Sequence, residues 1–269
     1  VNFDLVRLAA SHLSPAGARP LHHSITLSIP PAMKIIIFSD LHANWEALSA
    51  LQRVESAPDA ILFMGDVVNF GPDPKRCLDW VRANATAAVR GNHDHAVAFG
   101  GDAGVNPALL PLFTAARNYT QSVLSADDRV WLGELPLGQS IYLDGKRFHL
   151  VHAMPSDPLG KRVSLVTARE EDLAAELALL DPRPDVLLVG HTHLPGLRQV
   201  GGTVIVNPGS LGQPRNGTPD ATYAVWRDGA LQIHHLHYDH DTTQRKLMSL
   251  PLDPDVVDRL QEILETGSA

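Results

Sequence analysis

The stretch Met33-Lys34-Ile35-Ile36-Ile37-Phe38-Ser39-Asp40-Leu41-His42 decides how this chain is read. Within residues 34–38, Ile35 to Phe38 form an apolar, largely β-branched run, the pattern of a strand buried on both faces. The run stops at Ser39, and two side chains able to ligate a metal, Asp40 and His42, follow at once. Asn44 can then cap a helix over 44–54, where Trp45, Leu48, Leu51 and Gln52 recur at helical spacing. The rhythm repeats with a strand over 60–64, a helix over 74–83 opened by Pro74, and a short strand over 85–89. Strand and helix in alternation predict a sheet flanked by helices.

Downstream, residues 96–111 are rich in Gly and Ala and read as a loop, and 112–124 and 126–132 read as helices. Strands over 140–143 and 147–151 meet at Asp144-Gly145, a hairpin turn pair. A helix over 167–180 precedes a buried strand over 185–189. Gly201-Gly202 joins strands 197–200 and 203–206, and Asp228-Gly229 joins strands 223–227 and 230–237. A last helix is expected over 254–265. One α/β domain with two sheets, spanning 33–269, is the simplest reading. Residues 1–32 hold Pro15, Pro20, Pro30 and Pro31 and only short apolar stretches. They are expected to be an N-terminal extension, disordered or a misplaced start, with an ordered arm as the alternative.

Several classes are disfavoured by composition. No run of about 18 apolar residues is present, so no membrane span is expected. The formal net charge of −8 disfavours stable nucleic-acid binding, which needs a basic surface. Cys77 is the single cysteine, so no intrachain disulfide can form, which suits the cytoplasm.

Five polar clusters stand directly behind predicted strands, where ligands of α/β sheets collect. Asp40-Leu41-His42 offers a carboxylate and an imidazole one residue apart. Asp66 follows Gly65, and its two oxygens allow one residue to bridge two cations. Gly91-Asn92-His93-Asp94 offers an amide oxygen from Asn92 and, beside it, a proton donor in His93. His152 ends a strand. Gly190-His191-Thr192-His193 offers two imidazoles that can serve different metals of a close pair. Each cluster alone has an ordinary explanation as a cap, a turn or a core histidine. Together they supply two carboxylates, one amide and four imidazoles. Such a set suits borderline divalent ions and contains no thiolate, which excludes a cysteine-type structural zinc site. Mg or Ca would be poorly matched to imidazole.

In this order the clusters resemble the calcineurin-like metallophosphoesterase family, in its small bacterial form, from Met33 to about His237. Residues 65–74 (GDVVNFGPDP) look like the family's extended second motif, and Asn207-Pro208-Gly209-Ser210 like its late loop. Two departures stand out. Ala43 sits where many relatives have Gly. Asn69-Phe70-Gly71 and Asp94 replace the Asp-Arg-Gly and Glu of protein serine/threonine phosphatases, which counts against that activity. The resemblance implies a four-layer α/β/β/α sandwich with two mixed sheets and a metal site at the strand carboxyl ends. It implies two divalent ions per chain, Mn first, with Fe, Ni, Co or Zn as alternatives. Asp40, His42, Asp66 and His193 would hold one, and Asp66, Asn92, His152 and His191 the other, with Asp66 bridging. Asn92 and His93 would contact substrate, His93 as the catalytic residue.

The expected activity is hydrolysis of small phosphodiesters, phosphomonoesters or nucleotides by a metal-activated hydroxide. The alternatives are a dinucleoside polyphosphate hydrolase, a protein phosphatase, or a non-enzymatic scaffold on the same fold. Substrate choice is expected from Asn69 and Phe70, from residues 98–106, and from Arg215 and Asn216. The late His234, His235, His237 and His240 could suggest a third metal. Alternation instead puts His235 and His237 on one solvated face of a strand.

Overall fold

The structure, a computed structural model, describes residues 33–268, so the reading of 1–32 as an extension lies outside the described residues. The first half runs β1 (Ile35–Phe38), α1 (Trp45–Val54), β2 (Ala60–Phe63), α2 (Pro74–Asn84), β3 (Ala87–Ala88), α3 (Asn92–Phe99), α4 (Leu110–Val123) and α5 (Ala126–Glu134). The second half runs β4 (Gly138–Leu143), β5 (Lys146–Val151), α6 (Glu170–Leu177), β6 (Val186–Leu188), β7 (Gly196–Val200), β8 (Thr203–Asn207), β9 (Ala221–Arg227), β10 (Ala230–Leu236), α7 (His240–Met248) and α8 (Pro254–Thr266).

The strands form two five-stranded sheets, β10-β9-β1-β2-β3 and β4-β5-β6-β8-β7. β1, β2 and β3 are parallel because α1 and α2 carry the chain back between them, while β9 and β10 add antiparallel edges. In the second sheet β5, β6 and β8 are parallel, with β4 and β7 antiparallel at the edges. All three predicted hairpins close where their turn pairs stand.

β1 shows why its sequence is apolar throughout. Ile35 and Ile37 point between the sheets, against Leu62, Phe148, Leu188 and Val206. Ile36 and Phe38 point the other way, against Leu48 and Leu51 of α1 and Leu78 and Val81 of α2. On the far side of the second sheet, Leu187, Val189 and Ile205 meet Leu173 and Leu177 of α6. The result is the expected α/β/β/α layering.

Four local readings change. Residues 96–111 are not a loop: α3 continues to Phe99, a 3-10 turn covers Pro107–Leu109, and only 100–106 lack regular structure. α3 opens with Asn92-His93-Asp94, whose buried polar side chains hide its inner face from a hydrophobicity pattern. α6 is shorter than 167–180, because turns occupy 164–168 before Arg169 at its N-cap. β3 is limited to two residues. α7 was not anticipated at all. Its sequence is mostly polar, yet Asp239 caps it and Thr243 and Leu247 are buried. His235 and His237 are exposed, as alternation predicted, and His237 pairs with Asp220 at 2.6 Å. No described helix is long and apolar enough to cross a membrane.

Ile37, with no exposed surface, tests the inter-sheet core. Ile37→Ala is expected to lower unfolding free energy by about 2–5 kcal/mol in urea titration. Exposed Tyr142→Ala should change it by less than about 0.5 kcal/mol.

Candidate metal centre

β1, β2, β3, β5 and β6 deliver their following residues to one edge of the sandwich. Asp40 and His42 follow β1, Asp66 follows β2, Asn92 and His93 open α3, His152 follows β5, and His191 and His193 follow β6. The structure brings all eight predicted site residues together, none more than 5% exposed. The backbone there is strained. Asp40, His42, Asp66, His191 and His193 have φ of +52°, +44°, +59°, +65° and +60°. Left-handed backbone costs a non-glycine residue of order 1–2 kcal/mol and persists only where surroundings enforce it. Ala43 shares it at +54°, so a glycine there would be less strained, and the departure from the family pattern has a cost.

Cross-loop hydrogen bonds do the enforcing. The amides of Asp40, His42 and Ala43 donate to the carbonyls of Gly65, Asp66 and Val67 at 3.0, 3.0 and 2.9 Å. Two motif glycines have a direct steric reason. A Cβ on Gly91 would lie 2.0 Å from Asp66 Oδ1, and one on Gly190 2.0 Å from Ser39 Oγ.

The ligating atoms face one another. His42 Nε2 and His193 Nε2 lie 3.2 Å apart, and Asp40 Oδ1 is 3.2 Å from His193 Nε2. His152 Nε2 lies 3.2 Å from Asp66 Oδ2 and 2.9 Å from Asn92 Oδ1, and His191 Nδ1 is 3.1 Å from Asn92 Oδ1. The far nitrogens fix the tautomers. His42, His152 and His193 meet the carbonyls of Val68, Met64 and Gln213 through Nδ1, at 3.3, 2.7 and 2.5 Å. A carbonyl only accepts, so Nδ1 carries the proton and Nε2 presents a lone pair. Asn92 donates its amide to the Ala103 carbonyl at 2.8 Å, which turns Oδ1 inward. Acceptor atoms of imidazole, carboxylate and amide therefore converge on one another. Asp40 Oδ1 and His191 Nε2 are buried without a hydrogen-bond partner among the described residues. This donor set fits a cation.

Charge effects agree. Burial opposes a charged His152, yet the Asp66 carboxylate raises it to about 9, so without metal a proton takes the cation's place. Burial, with neighbouring His193, pushes His42 down to about 3, and burial with His152 does the same to His191. Neutral imidazole is the form that ligates. Against the pull of burial, His152 and His93 hold Asp66 well below the usual carboxylate range.

Three neighbours were underread in the sequence. Asn69 is not a surface specificity residue. It is fully buried behind His93, its Oδ1 accepting from the Phe70 amide and its Nδ2 donating to His93 Nδ1 at 2.9 Å. That leaves the His93 proton on Nε2. Asp94 is a strut as well as a family marker. Its carboxylate accepts from the amides of Asp66, Val67 and Gly91 at 2.8, 2.9 and 3.1 Å. Its place three residues after Gly91 at a helix start was a readable capping signal. Gln213 supports His193 and was not singled out; no local pattern marks it. The late loop holds the site from behind, with Ser210 Oγ donating to the Asp40 carbonyl and Asn207 to that of Gly190, both at 2.7 Å.

Above the cluster lies a cavity of about 1000 Å³, lined among others by Asp66, Asn92, His93, Phe70, Arg162 and Arg215. Of the expected specificity segments, Phe70, Gly104, Val105, Asn106 and Arg215 reach it.

Residues 33–227 match the calcineurin-like phosphoesterase superfamily domain. The chain belongs to that superfamily. It is 26% identical to the uncharacterized protein MJ0912 of Methanocaldococcus jannaschii, over 84% of this chain and 96% of that protein. It is 29% identical to the phosphodiesterase YfcE of Escherichia coli, over 75% of this chain and 91% of that one. Among solved structures, a metallophosphoesterase from Sphaerobacter thermophilus superposes with a TM-score of 0.69 at 30% identity, covering 85% of this chain and 98% of its own. The protein PH1004 of Pyrococcus horikoshii shares the fold, with a TM-score of 0.74 at 19% identity, over 88% of this chain and 100% of its own.

Asp94→Ala would leave the amides of Asp66, Val67 and Gly91 without their acceptor. It is expected to lower unfolding free energy by about 1–3 kcal/mol and to weaken metal retention after dialysis. Unchanged stability and metal content would remove Asp94 from this role.

Proposed function

We propose that the protein hydrolyses small phosphoesters, diesters and monoesters including nucleotides, with two divalent cations. The observation that carries this reading is the set of facing lone pairs, which is stable only around positive charge. Asp40, His42, Asp66 and His193 would hold one cation, and Asp66, Asn92, His152 and His191 the other. Asp66 Oδ2 lies 3.9 Å from His42 Nε2 and 3.2 Å from His152 Nε2, so it reaches both sets. The mixed nitrogen and oxygen donors suit Mn, and also Fe, Ni, Co or Zn. When bound, such a pair supplies Lewis acidity and lowers the pKa of a water to about 7.

The protein's own groups do the rest. His93 directs Nε2–H away from Asn69, where it can donate to a phosphoryl or leaving oxygen. Phe70 and Phe113 pack on its ring, with centroids 4.7 and 5.2 Å away, and restrict its motion. Arg162 and Arg215 add positive charge that attracts a phosphoester to an otherwise acidic chain. The name of the E. coli relative supports the diester class. Asn69-Phe70-Gly71 in place of Asp-Arg-Gly argues against a protein phosphatase. A scaffold would have no need for seven intact donors. The buried, free Cys77 accords with a reducing cytoplasm.

The test is a panel of bis-p-nitrophenyl phosphate, p-nitrophenyl phosphate, cyclic nucleotides and diadenosine polyphosphates, each with Mn, Ni, Mg and Zn. Mn-dependent turnover of the diester is expected. His93→Ala should keep both metals and lose about 10²–10⁴-fold in kcat, while Asp66→Ala should lose metal pairing by elemental analysis. No hydrolysis anywhere in the panel would return the scaffold reading.

A further inference from the structure

We propose that Arg162 and Arg215 form a second anionic subsite beside the metal cluster, for a substrate carrying another phosphate next to the scissile one. This names the substrate class within the phosphoester-hydrolase reading and rests on it. The class is a nucleotide-sized organic diphosphate or polyphosphate.

Both arginines line the cavity that opens on Asp66, Asn92, His93, His191 and His193. Neighbouring Lys161 is neutralised by Glu176, but among the described residues no carboxylate pairs with Arg162 or Arg215. Arg215 is instead held by a neutral group. It donates to Gln213 Oε1 at 2.8 Å, and its Nε is buried with no partner among the described residues. Gln213 also receives the His193 ring through its carbonyl, so the arginine and that candidate ligand hang from one strut. Arg162 projects from a loop pinned by Arg198, which donates to the carbonyls of Leu165 and Ala168 at 3.0 and 3.3 Å. Burial, and then the like charge of Arg162, lower Arg215 to about 10, so the two guanidiniums sense each other. Two cations that line one cavity with no carboxylate paired to either favour an anion that joins them.

Charge matching says which anion. Two divalent ions less the carboxylates of Asp40 and Asp66 leave two net positive charges, and the arginines double that. A diester phosphate brings one negative charge, so most of this field would stay unmatched. A second phosphate meets it. Among the described residues Asp66, already in the cluster, is the only acidic one on the cavity wall, while Ser164, Thr167 and Thr192 add hydroxyls. The volume, about 1000 Å³, accommodates a nucleotide rather than a bare phosphate.

The experiment is calorimetric titration of the manganese-loaded protein with α,β-methylene-ADP and with AMP. Wild type should bind the diphosphate at least about tenfold tighter, and Arg162→Gln and Arg215→Gln should each cut the preference below about threefold. The metals are the same in wild type and variants, so the change in preference isolates the arginines. Arg215→Lys should retain part of it by keeping the charge. Arg162 is exposed, so its variant separates the effect from folding, checked by thermal melts. Variants that keep the wild-type preference would overturn the proposal. Equal losses for both ligands would also overturn it, by placing the arginines on the scissile phosphate. Repeating the titrations in the His93→Ala background, which should keep both metals, reads affinity without turnover of AMP. Failure to hydrolyse bis-p-nitrophenyl phosphate would therefore count against the hydrolase reading alone and leave this result standing.

Discussion

Acceptor groups of Asp40, His42, Asp66, Asn92, His152 and His193 point at one another across hydrogen-bond distances, and without a cation a proton on His152 relieves them only in part. That mutual repulsion is the constraint on which the rest of the structure depends. Free side chains would turn away, so every donor must be held from behind. Backbone carbonyls of Val68, Met64 and Gln213 hold three rings by their Nδ1 protons. The Ala103 carbonyl holds the Asn92 amide. The strained loops are locked by amide-to-carbonyl bonds between the first and second clusters. Strain and repulsion are both recovered when a cation binds, which couples stability to metal.

Two sheets rather than one make this convergence feasible. Parallel strands send their carboxyl ends in a common direction, and stacking the sheets brings two such edges together over one buried layer. Asp40, Asp66 and Asn92 come from the first sheet's edge, and His152, His191 and His193 from the second's. The inter-sheet core around Ile37 and Leu188 is therefore also what sets the distance between Asp66 and His152. Packing errors there would be felt in the site at once, because cores are not continuously deformable.

Around the donors, charge is distributed unevenly and to a purpose. The chain is acidic as a whole, yet the cavity above the cluster carries two arginines without carboxylate partners among the described residues. Neutral Asn69 rather than a carboxylate backs His93, which leaves its outward nitrogen a hydrogen-bond donor without adding negative charge to the floor. Both choices favour an anionic occupant.

Local sequence determined much. The run at 34–38, the turn pairs at 144–145, 201–202 and 228–229, and the clusters behind strands depend only on neighbouring residues, so period, turn chemistry and donor type made them legible. That seven candidate donors and His93 stand directly behind strands was legible for the same reason. The helical character of 92–99 and of 240–248 was not, since their buried faces carry Asn, His, Asp and Thr. Only the tertiary structure placed Asn69 behind His93, tied Asp94 to the Asp66 loop, and brought Arg162 to the cavity of Arg215. These pairings join residues 24 to 53 positions apart, or belong to loops with no periodic signal. A sequence states which groups are available; which of them meet is settled by the packing of distant segments around a common core.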